Sequence, residues 1–324
     1  MSELKKIQTL IEKEIKKQAF GKKPASLYEP IRYLMNIGGK RLRPMLTLLA
    51  YSLYKKDIAK IVPFAVAVET FHNFTLMHDD IMDKAPLRRG KATVHKKWNV
   101  NTAILSGDVM LVKVYEMFNR LEAEKAKEII KVFNTCAAEV CEGQQWDMEF
   151  ETHDTVTENE YIQMIRQKTA VLLGFSLELG ARLAEASAVE CKALRDFGIS
   201  IGIGFQLKDD LLDVYGDKKK FGKQVGGDII ANKKTYLLIK ALEKATAKQR
   251  KELHHWLSAK RTSKKEKVKA VTALYDALDL HRITQRKADS YFTRGFKQLE
   301  KIEGRSQQKE MLLLFAKELI ARQH

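Results

Sequence analysis

The sequence predicts an all-α protein, and three observations carry that reading. Only five prolines occur in 324 residues, and the 238 residues after Pro86 contain none; proline breaks helix interiors, so its absence permits long helices. The same stretch is rich in Ala, Leu, Glu, Lys, Gln and Arg, residues that propagate helices well. Apolar residues recur at helical spacing, and no alternating Val/Ile/Thr run joined by an Asn-Gly or Asp-Gly turn appears.

Leu4, Ile7, Leu10, Ile11 and Ile15 give one face of an opening helix over about residues 3–19, ended by the break from Gly21 to Pro24. A second helix reaches Gly38-Gly39, a third starts near Arg43-Pro44 and runs through Leu53, and Pro63 opens a long one through Asp83. Lys84 to Lys91 reads as a basic loop holding Pro86 and Gly90. Further helices are expected at about 99–120, 122–150, 157–185, 188–215, 233–244, 248–259, 264–278, 281–303 and 306–322, with a Gly- and Lys-rich connection from Gly216 to Asp228. No flexible linker and no repeat of solenoid period divides the chain. One domain over residues 1–324, built of ten to thirteen helices, is the expectation.

Composition excludes several classes. Hydrophobic residues are 45% and charged residues 31%, the balance of a folded chain. The net charge of +17 is concentrated late: from Lys248 onward, 19 basic residues meet 9 acidic ones. This reads as a solvated helical face, with contact to an anionic surface as the alternative; nucleic acid is excluded as a partner because no binding motif or interleaved aromatics accompany the charge. No apolar run is long enough to span a bilayer, so no stable membrane insertion is expected. The first residues lack signal- or transit-peptide character, which predicts a cytoplasmic location. Cys136, Cys141 and Cys191 form no C-x-x-C, against both a disulfide framework and a structural zinc site.

Two carboxylate triplets carry the chemistry. Asp79-Asp80-Ile81-Met82-Asp83 and Asp209-Asp210-Leu211-Leu212-Asp213 both read D-D-x-x-D. At the chain's Asp frequency one such pattern is expected about 0.04 times by chance, and two copies at the order of 0.001. On a helix, positions i and i+4 share a face and i+1 is rotated by about 100°. Asp79 and Asp83 therefore aim together with Asp80 flanking, and Asp209, Asp213 and Asp210 repeat the layout. Like charges so placed need compensation. Oxygen-only donors select hard cations, and Mg²⁺ characteristically uses one or two protein carboxylates plus water and substrate phosphate. The spacing does not fit an EF-hand.

Cations accompany the triplets. Gly38-Gly39-Lys40-Arg41-Leu42-Arg43-Pro44 brings backbone N–H groups and three cations to a helix start, an anion-binding arrangement. Arg88-Arg89-Gly90 follows the first triplet, Lys168-Thr169 sits mid-helix between the two, and Lys223 and Lys233 follow the second. His72 lies two turns before Asp79, and Gln206 precedes Asp209, Asp210 and Asp213 by three, four and seven, on one stripe.

With Gly143-Gln144, Gly204-Phe205-Gln206, Gly222-Lys223 and Gly227-Asp228 added, this ordered set resembles the trans-isoprenyl diphosphate synthases (polyprenyl synthetases) across nearly the whole chain. The resemblance implies a helical bundle of the isoprenoid-synthase type around a central cavity, commonly a homodimer. It implies Mg²⁺, three ions per site, held by Asp79, Asp80 and Asp83 and by Asp209, Asp210 and Asp213. Arg88, Lys168, Thr169, Gln206, Lys223 and Lys233 are then implied to bind an allylic diphosphate, and Lys40, Arg43, His72 and Arg89 isopentenyl diphosphate. Asp79, Asp83, Asp209, Lys168 and Arg88 are the implied catalytic set. Phe74 and Thr75, five and four residues before the first triplet, are implied to set the depth reached by the growing chain. A single aromatic there resembles members making products of fifteen to twenty carbons, with geranylgeranyl diphosphate favoured over farnesyl or longer products. A class I terpene cyclase is a further alternative, although it normally lacks the second triplet and the Lys40/Arg43 site.

Overall fold

The Ala- and Leu-rich segments fold as helices with caps that the sequence supplies. The computed structural model describes residues 3–216, 226–259 and 263–321. The α-helices in chain order are α1 (Glu3–Lys17), α2 (Ala25–Asn36), α3 (Leu42–Ser52), α4 (Val62–Met82), α5 (Val94–Lys97), α6 (Val100–Phe118), α7 (Ala123–Thr152), α8 (Glu158–Ile165), α9 (Val171–Leu183) and α10 (Ala188–Tyr215). They continue with α11 (Gly227–Ile230), α12 (Tyr236–Lys244), α13 (Ala247–Ser258), α14 (Lys264–Ala277), α15 (Leu280–Leu299) and α16 (Ser306–Ala321). A π-helical turn, Arg166–Ala170, joins α8 to α9. Counted as one rod with that turn, they bring the described helices of two turns or more to thirteen, which agrees with the sequence expectation. The all-α class holds: the described strands are β1 (Leu87–Arg88) and β2 (Lys91–Ala92), one small antiparallel hairpin within the predicted basic loop.

Caps explain several helix starts. Thr157 and Glu160 form a reciprocal capping box at α8, Thr246 and Gln249 another at α13, and Asn99 accepts from the Thr102 N–H at α6. Each satisfies N–H groups that a helix start leaves unpaired.

The chain divides into two compact units. The first comprises Met1–Thr135, Phe175–Arg195 and Glu303–Leu312; the second comprises Cys136–Gly174, Asp196–Ile302 and Leu313–His324. In the first, α4 packs on α3 and α6, and α3 is buried from Pro44 through Ser52. An aromatic cluster of Phe71, Tyr115, Phe118, Phe133 and Phe175 fills its interior, with ring centroids 5.0 Å apart for Phe71–Phe133 and 5.3 Å for Phe118–Phe133. In the second, Leu211 and Val214 of α10 join Leu237, Leu238, Leu253, Val271, Leu274 and Leu280 in one core. Burial of that apolar stripe fixes which face of α10 is left for Asp209 and Asp213.

Candidate active site

Each unit holds one of the two predicted clusters. In the second unit, Lys168, Thr169, Gln206, Asp209, Asp210, Asp213 and Lys233 line one cleft, whereas Arg88, which the resemblance grouped with Lys168, Thr169, Gln206 and Lys233, lies in the first unit on Asp80. Asp147, Tyr161 and Asp228 line it as well. Lys168 Nζ lies 2.5 Å from Asp147 Oδ2, and Lys233 Nζ lies 3.7 Å from the same oxygen. One carboxylate thus holds two ammonium groups on different elements. Their positive charge keeps the Asp147 carboxyl below the ordinary carboxylate range even though burial opposes ionisation. The Asp213 carboxylate accepts from the Asp228 backbone N–H at 2.9 Å, and its carbonyl accepts from the Gly226 N–H at 2.6 Å, so α10 pins the start of α11.

The two triplets share a division of labour. Asp79 and Asp209 are half-buried, Asp83 is exposed and Asp213 half-buried, whereas the middle members Asp80 and Asp210 are buried. Asp80 receives Arg88, whose Nε lies 2.9 Å from both carboxylate oxygens and whose Nη2 lies 2.6 Å from Oδ1. Asp210 receives the Tyr161 hydroxyl and, more weakly, the Gln206 amide and the Tyr236 N–H, each at 3.4 Å. The sequence set the middle aspartate of each triplet beside the outer pair, and the resemblance counted all three as metal ligands. In the structure the i and i+4 members remain toward solvent, while the i+1 member, rotated by about 100° on the wheel, anchors a neighbouring element.

Burial dominates the Asp210 carboxyl and pushes it up to about 7; the Tyr161 hydrogen bond and Lys233 oppose the rise and Asp228 adds to it. A carboxyl raised in the folded state holds more protons than in the unfolded chain, so its contribution to stability falls as pH rises from about 4 to 7. Asn at this position still accepts from Tyr161 without the buried charge. Asp210→Asn is therefore expected to melt higher than the parent at pH 7.5 in EDTA and to lose this part of the difference between pH 5 and pH 7.5, as scanning calorimetry would show.

In the first unit, Lys40, Arg43, His72 and Arg89 surround a second pocket, together with Gly39, Arg41, Leu42 and Glu69. The loop leading into α3 has positive φ at Gly38 (90°), Gly39 (150°) and Arg41 (47°). For a non-glycine residue the left-handed region costs on the order of 1 kcal/mol, so the Arg41 conformation requires compensation. At the hairpin turn, Arg89 (φ 51°) and Gly90 (φ 74°) are both left-handed, which suits a two-residue turn and sends Arg88 and Arg89 to different partners. Arg88 goes to Asp80, and Arg89 donates to the Gly38 carbonyl. Enclosure, with Arg43, Arg89, Arg88 and Arg41 around it, holds the His72 imidazole well below its ordinary range.

Phe74 is buried, with its ring 5.6 Å from Phe71 and 4.7 Å from His78, and the Thr75 hydroxyl donates to the His72 carbonyl at 2.9 Å. Lys223 lies outside the described residues. The sequence reading missed Asp147, Tyr161 and Glu69 as site residues. Asp147 had a signal, since it falls one turn after Gly143 on the same helix face.

Among the described residues, no three His, Cys, Asp or Glu side chains converge into a ready metal cage. The donor set in the second unit nevertheless suits a hard divalent cation: five carboxyl groups meet two ammonium groups, all donors are oxygen, and Asp209 and Asp213 keep solvent access. An all-helical chain with paired aspartates on helix faces, lysines beside them and a separate arginine-lined pocket defines a class of protein that handles polyanions with a divalent ion.

Comparison with known proteins makes the class specific. The sequence profile of the polyprenyl synthetase family matches residues 24–275. A short chain isoprenyl diphosphate synthase of Methanocaldococcus jannaschii is 42% identical over 276 residues, covering 85% of this chain and 84% of that protein. A geranylgeranyl pyrophosphate synthase of Geoglobus acetivorans is 39% identical over 320 residues, with 97% of each chain covered. A crystal structure of a geranylgeranyl pyrophosphate synthase superposes with a TM-score of 0.95 at 43% identity, covering 99% of each chain. The chain belongs to the polyprenyl synthetase family and is a trans-prenyltransferase.

Proposed function

We propose that this enzyme condenses isopentenyl diphosphate head-to-tail with an allylic diphosphate and stops at the C20 product, geranylgeranyl diphosphate. The observation that supports this most directly is the repeated triplet, with outer aspartates left toward solvent and the middle one anchored. The names of the relatives support the C20 product. Asp79, Asp83, Asp209 and Asp213 are assigned to Mg²⁺, three ions in all, and when bound these would neutralise negative charge on the departing diphosphate. Lys168, Thr169, Gln206, Lys223 and Lys233 bind that diphosphate, with Asp147 holding Lys168 and Lys233 in reach. Lys40, Arg43, His72 and Arg89 hold isopentenyl diphosphate. Arg88 serves by fixing Asp80 and the hairpin.

Ionisation of the allylic C–O bond leaves a carbocation and diphosphate. The double bond of isopentenyl diphosphate attacks the cation, and proton loss yields a diphosphate longer by five carbons. No side chain of the protein is assigned as the base; the released diphosphate accepts the proton. The protein's part is to bind, align and exclude water.

Incubation with isopentenyl diphosphate, Mg²⁺ and dimethylallyl, geranyl or farnesyl diphosphate, followed by mass spectrometry, tests the reading. A C20 product that requires isopentenyl diphosphate is expected; a hydrocarbon released from the allylic substrate alone would instead identify a cyclase. Phe74→Ala is expected to lengthen the product by at least one five-carbon unit, because it removes a buried ring from the helix ahead of the triplet. Unchanged product length would remove Phe74 from the chain-length assignment.

We assign the enzyme to one domain, to the cytoplasm and to a homodimer. Val100, Ile104, Leu105 and Val112 of α6 are exposed, and that apolar surface supports self-association. No described helix is long and apolar enough to cross a membrane.

A further inference from the structure

Arg41 stands between the two cations assigned to isopentenyl diphosphate, yet its side chain is only 1% exposed. Its three nitrogens are committed to protein acceptors on three elements. Nε donates to Glu12 of α1 at 2.8 Å, Nη1 to Glu69 of α4 at 2.9 Å, and Nη2 to the Met35 carbonyl of α2 at 2.6 Å. A guanidinium so enclosed does not reach a bound anion. We propose that Arg41 is a positioning residue for the isopentenyl diphosphate pocket, and that α1 acts through Glu12 as the brace that holds it.

Geometry and charge both lead to this role. Arg41 occupies the N-cap of α3 in a left-handed conformation, directly after Gly38, Gly39 and Lys40, and two residues before Arg43. A non-glycine residue stays in that conformation only where its surroundings over-determine it, and the three hydrogen bonds supply that constraint. Rotation at Arg41 would swing Lys40 to one side and the first turn of α3, with Arg43, to the other. From the outer side the loop is held by Arg89, which donates to the Gly38 carbonyl; a Cβ on Gly39 would sit 2.6 Å from the Arg89 Nη1. Arg41 also neutralises Glu69, a buried carboxylate lining a pocket meant for an anion. Without it, that carboxylate would oppose the ligand.

Glu12 is the unexpected part. It lies on α1, ahead of residues 24–275 matched by the family profile, and Ile7, Ile11 and Ile15 seat this helix by burial. Glu12 itself is partly exposed, so it can be changed without opening the core.

The inference rests on the assignment of Lys40 and Arg43 to isopentenyl diphosphate, and the test separates the two. Steady-state KM for each substrate, kcat and melting temperature are measured for Arg41→Met, Arg41→Lys, Glu12→Gln, the Glu12→Gln/Arg41→Met double variant, Lys40→Ala, Arg43→Ala and the solvent-facing control Lys13→Gln. Arg41→Met is expected to raise KM for isopentenyl diphosphate about tenfold or more while KM for the allylic substrate changes less than about twofold. Arg41→Lys rescues little, since one ammonium cannot serve three divergent acceptors. Glu12→Gln raises the same KM by about threefold, and the double variant is no worse than Arg41→Met alone. Lys13→Gln matches the parent. If Lys40→Ala and Arg43→Ala raise KM for isopentenyl diphosphate and the Arg41 and Glu12 variants do not, the brace is overturned while the pocket assignment survives. Equal effects on both substrates, or a lowered melting temperature alone, overturn it too. If Lys40→Ala and Arg43→Ala leave that KM unchanged, the pocket assignment fails and takes the brace with it. Should Arg41→Met not fold, Glu12→Gln decides the matter by the same split.

Discussion

Asp79→Ala and Asp209→Ala are each expected to lower turnover by roughly two orders of magnitude or more, with the fold intact. The asymmetry within the triplets makes this a sharp expectation. Asp79 and Asp209 are half-buried and stand four residues from another carboxylate on the same helix face, so removing one relieves like-charge repulsion worth a few tenths of a kcal/mol. Loss of the folded state is therefore not the route to inactivity. What disappears is an oxygen donor in a position that keeps solvent access. Asp80→Ala is a different experiment, because it leaves the Arg88 guanidinium without its carboxylate and frees the hairpin. Its losses should appear in the melting temperature as well as in turnover. Single-turnover kinetics at saturating Mg²⁺, paired with thermal melts, distinguish the cases. Near-normal rates in Asp79→Ala or Asp209→Ala would contradict the metal assignment.

The triplets, the cations and the helical class were legible in the sequence because each depends on local periodicity. A D-D-x-x-D on a helix fixes relative direction by geometry alone, and the wheel already rotates Asp80 and Asp210 away from their neighbours. Their burial was not legible, since it depends on what packs there: Arg88 from the hairpin in one case, and Tyr161, 49 residues away in sequence, in the other. The same holds for Glu12 and Glu69, carboxylates without motif context that reach Arg41 across 29 and 28 residues. The stretch at 157–185 read as one continuous helix because its apolar spacing stays helical throughout. The π turn at Arg166–Ala170 inserts a local widening that composition does not announce. It is also where Lys168 and Thr169 are set, and the residue that accommodates it was already visible as Gly143.

Gly143→Ala should consequently combine a large loss of activity with a loss of stability. A Cβ built at Gly143 would lie 2.2 Å from the Lys168 backbone nitrogen and 2.7 Å from the Gln167 carbonyl carbon. Both are main-chain atoms of the π turn, so no flexible side chain can move aside. Two effects compete. Alanine inside a helix is favoured over glycine by about 1 kcal/mol, whereas forcing a methyl into a packed contact costs about 1–3 kcal/mol and more where backbone must shift. Overlap this deep lets the second effect win, and the relief available is separation of α7 from the π turn. That movement carries Lys168 away from Asp147, with which it makes a 2.5 Å ion pair, because Asp147 is on the same helix as Gly143. A displacement near 1 Å at a group assigned under the proposed function to the leaving diphosphate can lower the rate about a hundredfold. The expected result is a melting temperature several degrees lower and kcat down by about two orders of magnitude. Gln145→Ala, at an exposed position two residues along where the side chain donates to Glu149, puts alanine on the same helix without the overlap and should leave both nearly unchanged. Parental activity in Gly143→Ala would show that the two helices can part without moving Lys168, and the role given to the π turn would fall.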